Sequence, residues 1–222
     1  MTLAMPRMDR LPATERGLTI ADFLVPIRVG ERLSSTRRHI ALVIAGAIVV
    51  ALAAQVSIPL PGTPVPITGQ TFGVLLVGGA LGFRRGALAL LLYLVAGFAL
   101  PVYAGHESGI GTLATSAGGH IVLGSKGGYL LGFVLAAALV GRLAELGWDR
   151  RVPGALAALF IGNVLVYAIG VPWLAVSTGN DVGWAVAHGV MPFVLTDALK
   201  LLLAAGLFPV AWWVVGRSPG ER

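Results

Sequence analysis

Apolar residues fall into six long stretches along this chain, and the charged residues stand mostly between these stretches. The stretches cover approximately residues 40–58, 70–83, 87–103, 127–143, 152–176 and 186–215. A helix needs about 20 predominantly apolar residues to cross the hydrocarbon core of a bilayer. The pattern therefore predicts six helices at membrane depth, the second of which is short enough to be buried or partly re-entrant.

The composition excludes an ordinary soluble domain. Hydrophobic residues make up 56% of the 222 residues and charged residues only 12%, whereas soluble domains carry about 25% charged residues. So few charges cannot cover the surface of a folded chain of this size in water. We therefore predict an all-α, polytopic membrane protein in which residues 38–217 form one bundle of six transmembrane helices. The lack of cysteine excludes disulfides and thiolate metal sites.

The first 37 residues differ from the rest of the sequence. They carry six arginines against four acidic residues, and three prolines interrupt them. Proline breaks a helix interior, so we predict a basic, mostly disordered cytoplasmic tail over residues 1–37. Residues 20–29 could instead lie on the membrane surface. At the other end, residues 218–222 are predicted to form a short cytoplasmic tail.

The basic residues are distributed unevenly between the two ends of the predicted bundle. With the N-terminal tail inside, the other inner segments carry Arg84, Arg85, Arg142, Arg150, Arg151, Arg217 and Arg222. The three outer connections, 59–69, 104–125 and 177–185, have one basic residue at their edge, Lys126. This asymmetry follows the positive-inside rule and places both termini in the cytoplasm. The net charge of +6 thus indicates a membrane margin rather than a nucleic-acid surface.

Two charged residues stand inside the sixth stretch, Asp197 and Lys200. Ionisable groups at membrane depth are costly, usually face the bundle interior and often mark a substrate or ion path. Because the two residues are three positions apart, they share one face of a helix. The pair could bind a ligand, or it could be an internal ion pair that only ties helices together.

Four further residues are candidates for a binding site. Lys126, where the fourth helix begins, could bind an anion together with helix N-terminal amides, or could be an interfacial lysine that snorkels. Tyr129 could supply an apolar wall with a polar tip. Asn163 in the fifth helix and Gln70 at the start of the second are polar groups at membrane depth. Each could contact a ligand or bond to a neighbouring helix.

Small residues recur four positions apart on the first helix, in the pairs Ala41 with Ala45 and Ala47 with Ala51. Such spacing lets another helix approach closely. The pairs could serve packing inside the bundle or docking of a partner subunit.

Several catalytic signatures are missing from the sequence. It has no P-loop, no H-E-x-x-H and no G-x-S-x-G motif, so ATP binding by a P-loop is excluded. His106 and His120 lie in one outer loop near Glu107, where they are interpreted as solvated side chains. No metal site is predicted.

Four segments together resemble one known family. They are residues 58–76 (IPLPGTPVPITGQTFGVLL), 82–87 (GFRRGA), 124–133 (GSKGGYLLGF) and 196–200 (TDALK). In this order, across about residues 38–216, they resemble the biotin transporter family BioY. Its members are the substrate-binding (S) components of energy-coupling-factor (ECF) vitamin importers.

The chain departs from the usual family pattern in three places. It has Ser125 and Lys126 where the family usually has Pro-Thr, and Thr196 where the family usually has glycine. The loop 104–125 is also longer than usual. These departures concern the outer gate and the contact with the ligand carboxylate.

The resemblance implies a subunit that captures biotin outside the cell and delivers it inward. It implies a multi-pass protein of the bacterial cytoplasmic membrane that is not an enzyme and carries no cofactor. The implied partners are a transmembrane coupling (T) subunit and two cytoplasmic ATPases. The coupling subunit is expected to dock on the first helix at Ala41 and Ala45.

The resemblance also implies a biotin pocket lined by Gln70, Lys126, Tyr129, Asn163, Asp197 and Lys200. We assign Asp197 as the acceptor for a ureido N–H and Lys200 as a donor to a ligand oxygen. Lys126 is expected to pair with the ligand carboxylate.

Two other classes of protein remain as alternatives. One is an ion-coupled transporter of another small carboxylate or vitamin, with Asp197 as the proton carrier. The other is an intramembrane enzyme acting on lipid through Asp197 or His188. The sequence offers no paired nucleophile and base for the enzyme.

Overall fold

The computed structural model describes residues 18–24, 35–117 and 120–215. Within them lie eight α-helices: α1 (Ile20–Leu24), α2 (Ser35–Gln55), α3 (Gln70–Leu81), α4 (Phe83–Ala96), α5 (Gly127–Glu145), α6 (Val152–Thr178), α7 (Val182–Gly189) and α8 (Val194–Val214). Two short antiparallel pairs of strands join helices: β1 (Ser57–Ile58) with β2 (Ile67–Thr68), and β3 (Ala114–Ala117) with β4 (His120–Leu123). The predictions for residues 1–17, 25–34 and 218–222 lie outside the described residues.

Each predicted apolar stretch contains a helix, and the predicted all-α membrane bundle is confirmed. Four described segments are long and apolar enough to cross a membrane: Thr36–Gln55, Gly127–Glu145, Val152–Thr178 and Val182–Val214. Helix α3 has 12 residues, about 18 Å at 1.5 Å per residue, and is short as the sequence predicted. Large apolar side chains cover the outside of the bundle. Leu52 and Leu195, for example, are 65% and 81% exposed, which suits a surface in contact with lipid.

The sixth stretch, predicted as one helix over 186–215, is broken in two. Helix α7 ends at Gly189, a 3-10 turn occupies Met191–Phe193, and α8 follows. Pro192 lies in this turn; it has no N–H to donate and its ring clashes with a continuing helix. The break places Asp197 and Lys200 in the first two turns of α8.

The third predicted helix, at 87–103, is displaced along the chain. Helix α4 begins at Phe83, directly after α3, and ends at Ala96. Gly82 permits this sharp turn with a φ of 84°, a conformation that glycine adopts without steric cost. Arg84 and Arg85 therefore lie in the first turn of α4 rather than in a connection.

The connections at the opposite end of the bundle contain local structure. Pairing of Ser57 with Thr68 closes the proline-rich loop 59–66 into an arch. The hydroxyl of Thr63 in this arch donates to the backbone oxygen of His188 at 2.7 Å. The arch therefore contacts α7. The predicted glycine-rich loop 104–125 holds the hairpin of β3 and β4, so it is partly regular.

Glycine allows the central helices to touch. A Cβ on Gly78 would lie 2.7 Å from the backbone oxygen of Ala137 and 2.8 Å from its Cα. Helices α3 and α5 can approach this closely only without a side chain at that position. Around this contact lies the core, where Leu75, Val140 and Leu159 are at most 2% exposed.

Residues 18–24, predicted as part of a disordered tail, pack on the bundle instead. Ile20 is 2% exposed, and the carboxylate of Asp22 accepts two hydrogen bonds from Arg85, each 2.8 Å long. Arg38 donates to the backbone oxygen of Asp22 at 2.9 Å. Burial acts to raise the pKa of Asp22, but the hydrogen bonds from Arg85 and Thr19, together with the charge of Arg85, outweigh it and hold that pKa below its usual value. The predicted basic tail therefore includes a short ordered segment at residues 18–24.

Candidate functional site

A cavity opens at the end of the bundle where α3, α5 and α8 begin, opposite the arginine-bearing end. Its walls come from β2, α3, α5, α6 and α8 and from the loops at this end of the bundle. All six residues that the sequence predicted as ligand contacts line it: Gln70, Lys126, Tyr129, Asn163, Asp197 and Lys200. The fold thus brings them together from four helices and the turn before α5. Their roles as ligand contacts remain predictions.

The carboxylate of Asp197 is the centre of a buried polar cluster in the cavity wall. Asp197 is 5% exposed, and its Oδ1 accepts a hydrogen bond from Lys200 at 2.9 Å. Its Oδ2 accepts from the Tyr167 hydroxyl at 2.6 Å and from the Asn163 amide at 3.3 Å. Because Lys200 neutralises Asp197, the cluster offers fixed donors and acceptors without net charge. Such a cluster suits a neutral polar ligand group.

The side-chain oxygen of Asn163 is buried and has no hydrogen-bond partner within the described residues. The amide nitrogen donates to Asp197, and turning the amide round would place two oxygens against each other, so this orientation is favoured. An unpaired buried acceptor costs about 1–3 kcal/mol. A ligand N–H would remove that cost. Asn163 is therefore a stronger candidate acceptor than Asp197, whose oxygens already accept three hydrogen bonds.

Gln70 and Tyr129 use their polar groups within the protein. The Gln70 amide donates to the hydroxyl oxygen of Tyr93 at 2.7 Å and accepts from the Thr68 hydroxyl at 3.2 Å. The Tyr129 hydroxyl donates to the backbone oxygen of Gly189 at 2.9 Å, which ties α5 to the end of α7. Both residues line the cavity with their orientation fixed by these bonds.

Lys126 lies directly before α5, at the mouth of the cavity. Its ammonium donates to a carboxylate oxygen of Glu107 in the loop 104–125. The Lys126 side chain is 22% exposed and that of Glu107 is 45% exposed. Lys126 is therefore not an isolated interfacial lysine, since it faces the cavity and a loop carboxylate together.

Sequence reasoning missed Tyr167, which donates to Asp197 and packs edge-on against Tyr129 with ring centroids 6.3 Å apart. Tyr167 follows Asn163 by four positions and so shares its helix face; this spacing was the available signal. Apolar wall residues were also missed, because an apolar side chain in a largely apolar sequence has no distinguishing mark. They are Val65, Pro66, Leu130, Phe133, Val166 and Phe193.

The two small-residue pairs on α2 have different surroundings. Ala41 and Ala45 are exposed on the outside of the bundle. Ala47 is 7% exposed and belongs to the core, and Ala51 packs against it. The second pair therefore serves internal packing, whereas the first is available to a partner helix. Docking at the first pair remains a prediction.

The two loop histidines lie in separate local structures. His106 closes a 3-10 turn with a φ of 63°, and His120 begins β4. In the part of the chain that the structure describes, no group of three or more His, Cys, Asp or Glu side chains could hold a metal ion.

Comparison with known proteins gives a family and several relatives. A model of the BioY family matches residues 29–217 of this chain. The biotin transporter BioY of Rhizobium etli is 36% identical over 173 residues, which cover 77% of this chain and 90% of that protein. The biotin transporter BioY of Rhodobacter capsulatus is 39% identical over 171 residues, covering 71% and 83%. That of Thermotoga maritima is 36% identical over 157 residues, covering 70% and 85%.

A solved structure has the same fold. It is the crystal structure of the S-component for biotin from an ECF-type ABC transporter, with a TM-score of 0.70. The match covers 80% of this chain and 92% of that chain at 21% sequence identity. The likeness is therefore one of architecture, and the ligand contacts of this chain depend on its own residues.

Proposed function

The chain belongs to the BioY family, and we propose that it is the membrane-embedded subunit that binds biotin for an ECF importer. Its relatives in Rhizobium etli, Rhodobacter capsulatus and Thermotoga maritima are biotin transporters, so the chain is a transport protein and not an enzyme. One observation carries the proposal. A buried polar cluster without net charge and a lysine line the same apolar-walled cavity.

The polar cluster suits the ureido ring of biotin, which is neutral, donates two N–H groups and accepts through its oxygen. We assign the unpaired oxygen of Asn163 as the acceptor for one ureido N–H. Asp197 retains lone pairs for the other, since two carboxylate oxygens have about four acceptor positions. Lys200 donates to the ureido oxygen while still neutralising Asp197. Each of these groups is already held in place by hydrogen bonds, which lowers the entropy lost on binding.

The rest of the cavity suits the rest of the ligand. Leu130, Phe133 and Val166 supply apolar wall for the thioether ring and the aliphatic chain. Lys126 at the mouth is the group that pairs with the carboxylate. The proposed ligand therefore lies with its neutral ring at the buried cluster and its acid end toward the mouth.

The partners and the location follow from the same proposal. The chain works with a transmembrane coupling subunit, which docks on α2 at Ala41 and Ala45, and with two cytoplasmic ATPases. It lies in the cytoplasmic membrane with both termini inside and the cavity opening outside. The exposure of Ala41 and Ala45 and the arginines at one end of the bundle support this arrangement.

Isothermal titration of the purified full chain in detergent tests the proposal. Biotin should bind one to one. Desthiobiotin keeps the ureido group and the carboxylate but lacks the thioether, so it should bind at the same site with lower affinity. Absence of biotin binding up to millimolar concentration would contradict the proposal. Cells that express the chain should lose uptake of labelled biotin when ATP is depleted. If uptake continued without ATP but stopped when the proton gradient collapsed, the ion-coupled alternative would replace the proposed function.

A further inference from the structure

The outer loop places a carboxylate of the protein itself on the lysine at the cavity mouth. Lys126 lines the cavity, yet its ammonium is paired with Glu107. Nearly half of the Glu107 side chain is exposed, against about a fifth of Lys126. Glu107 can therefore return to water at little cost, whereas Lys126 stays beside the cavity.

The backbone around Glu107 is folded to present this side chain. The Tyr103 N–H donates to the backbone oxygen of Glu107 at 3.1 Å, which closes a tight turn. Within the turn, His106 has a φ of 63°, an uncommon conformation for a residue other than glycine. The Tyr103 hydroxyl donates to the backbone oxygen of Leu94 at 2.6 Å and anchors the start of the loop on α4.

We propose that Glu107 is a latch that occupies Lys126 until the carboxylate of an incoming ligand replaces it. This inference rests on the proposed function, because it takes the ligand to be a carboxylic acid such as biotin. A single ammonium cannot neutralise two carboxylates, and two like charges on it repel each other. The exchange is a substitution of one ion pair for another, with no covalent step. Binding an acid therefore releases the outer loop, whereas binding a neutral analogue leaves it paired.

The latch makes Glu107 a determinant of selectivity for acids. In the native chain, loss of the ion pair with Glu107 partly offsets the attraction between Lys126 and the ligand carboxylate. Removing the Glu107 charge should therefore strengthen the binding of acids and leave the binding of neutral analogues unchanged. Exposed ion pairs of this kind correspond to about a 1.4- to 5-fold change in an equilibrium constant.

The first test is titration of Glu107→Gln with biotin and with biotin amide. Biotin affinity should rise about 1.4- to 5-fold while the affinity for the amide stays the same. In a Lys126→Met background, Glu107→Gln should change neither affinity. Asp181→Asn is a matched control, since it removes another exposed carboxylate but keeps a residue suited to capping α7. Weaker biotin binding by Glu107→Gln, or equal changes for biotin and the amide, would overturn the proposal.

The second test measures the loop directly, first in the ligand-free protein and then with biotin. Ser108→Cys introduces a single thiol beside Glu107 in a chain without cysteine. If the pair holds the loop, Glu107→Gln and Lys126→Met should each speed thiol labelling of the ligand-free protein, and biotin should speed it in the otherwise native chain. Unchanged labelling in both variants would overturn the latch. Failure of the chain to bind biotin, with faster labelling in both variants, would overturn the proposed ligand and leave the latch standing.

Discussion

At the residue scale, the amide of Asn163 gives the most specific prediction for biotin binding. Its oxygen is the buried acceptor without a described partner in the cavity. Asn163→Leu keeps a side chain of four heavy atoms branched at Cγ and removes both polar atoms. A ligand N–H left without its acceptor should cost about 1–3 kcal/mol, so biotin affinity measured by titration should fall about 5- to 150-fold. Thermal stability should not fall, because the lost bond to Asp197 is long at 3.3 Å and removal of the unpaired buried oxygen offsets its loss.

Gln55→Met is the matched control for this change. Gln55 also has a buried side-chain oxygen without a described partner, but it does not line the cavity, and its amide nitrogen bonds to backbone oxygens of Ala51 and Val102. Biotin affinity should be preserved in this variant. Equal affinity in Asn163→Leu and the native chain would remove Asn163 from the site.

The sequence predicted individual cavity-lining residues where membrane depth made them unusual. Asp197 and Lys200 were found because a charge inside an apolar span is costly and therefore rare without a functional role. Tyr167 was not found, because a tyrosine in a membrane helix is ordinary unless its partner is known. The pairing of Lys126 with Glu107 joins residues 19 positions apart across a loop. No local pattern of the sequence predicts which loop side chain contacts Lys126 at the mouth of the cavity.

At the scale of elements, the turn between α5 and α6 holds the inner end of α8. Asp149 in this turn is 2% exposed and accepts a hydrogen bond from the Trp212 indole at 2.8 Å. The Arg150 guanidinium lies 3.8 Å from the centre of the same indole ring. Burial raises the pKa of Asp149 to about 7, although the Trp212 hydrogen bond and the Arg150 charge act to lower it. The inner end of the helix that carries Asp197 is thus coupled to a titratable group.

This coupling predicts a pH dependence of stability. Between the ordinary aspartate pKa near 4 and about 7, the folded state binds a proton more tightly than the unfolded state. Stability should therefore fall as pH rises through this window and level off above it. Asp149→Asn still accepts from Trp212 but does not titrate. Its melting temperature should fall less than that of the native chain between pH 5 and 7.5.

The control for the pH series is Asp181→Asn, at an exposed helix cap on the other end of the bundle. It should keep the native difference between pH 5 and 7.5. A destabilised Asp149→Asn at pH 7.5, by more than the roughly 2–4 °C that 1 kcal/mol represents in a chain of this size, would mean that the ionised carboxylate is required.

The outer face of α2 carries the prediction for partner docking. Ala45→Leu should leave biotin binding by the isolated subunit unchanged, because Ala45 is exposed. It should reduce ATP-driven uptake by the complete importer, because a larger side chain blocks close helix approach. Ala168→Leu makes the same change at an exposed position on α6 and should leave uptake intact. Loss of binding and uptake together in Ala45→Leu would assign this face to internal packing.

Helices were predicted better than their ends. Apolar stretches locate a membrane helix because the hydrocarbon core demands them, but they do not mark its first or last residue. The turn at Gly82 and the break at Pro192 involve one or two residues within otherwise apolar sequence. The hairpin of β3 and β4 lies in a glycine-rich loop, where alternation of side chains is too weak to signal strands.

The orientation of the whole molecule is predicted from charge and can be measured. Ser108, in the loop beside the cavity, is exposed, and Thr36 is exposed at the other end of the bundle. A cysteine at Ser108 should react with an impermeant thiol reagent in intact cells. A cysteine at Thr36 should react only after lysis. The reverse result would place the cavity on the cytoplasmic side.

At this scale the sequence predicted the membrane bundle and the family, and the six predicted site residues line one cavity. It could not predict how neighbouring helices align, and so it missed which atoms meet. Asn163, Tyr167 and Asp197 bond across α6 and α8. These contacts join residues 30 and 34 positions apart, and no spacing rule along one helix predicts them.

Biotin binding by the double variant Asp197→Asn with Lys200→Met tests the central claim most directly. Either single change leaves a buried charge without its partner, which typically costs about 3–5 kcal/mol, so both singles should lose thermal stability and biotin affinity. The double variant leaves no buried charge unpaired, so its melting temperature should recover. Its biotin affinity should stay at least about 10-fold below native, because ureido groups would be desolvated without full partners. If the double variant regained both stability and native affinity, the pair would be structural only and the assigned biotin site would be wrong.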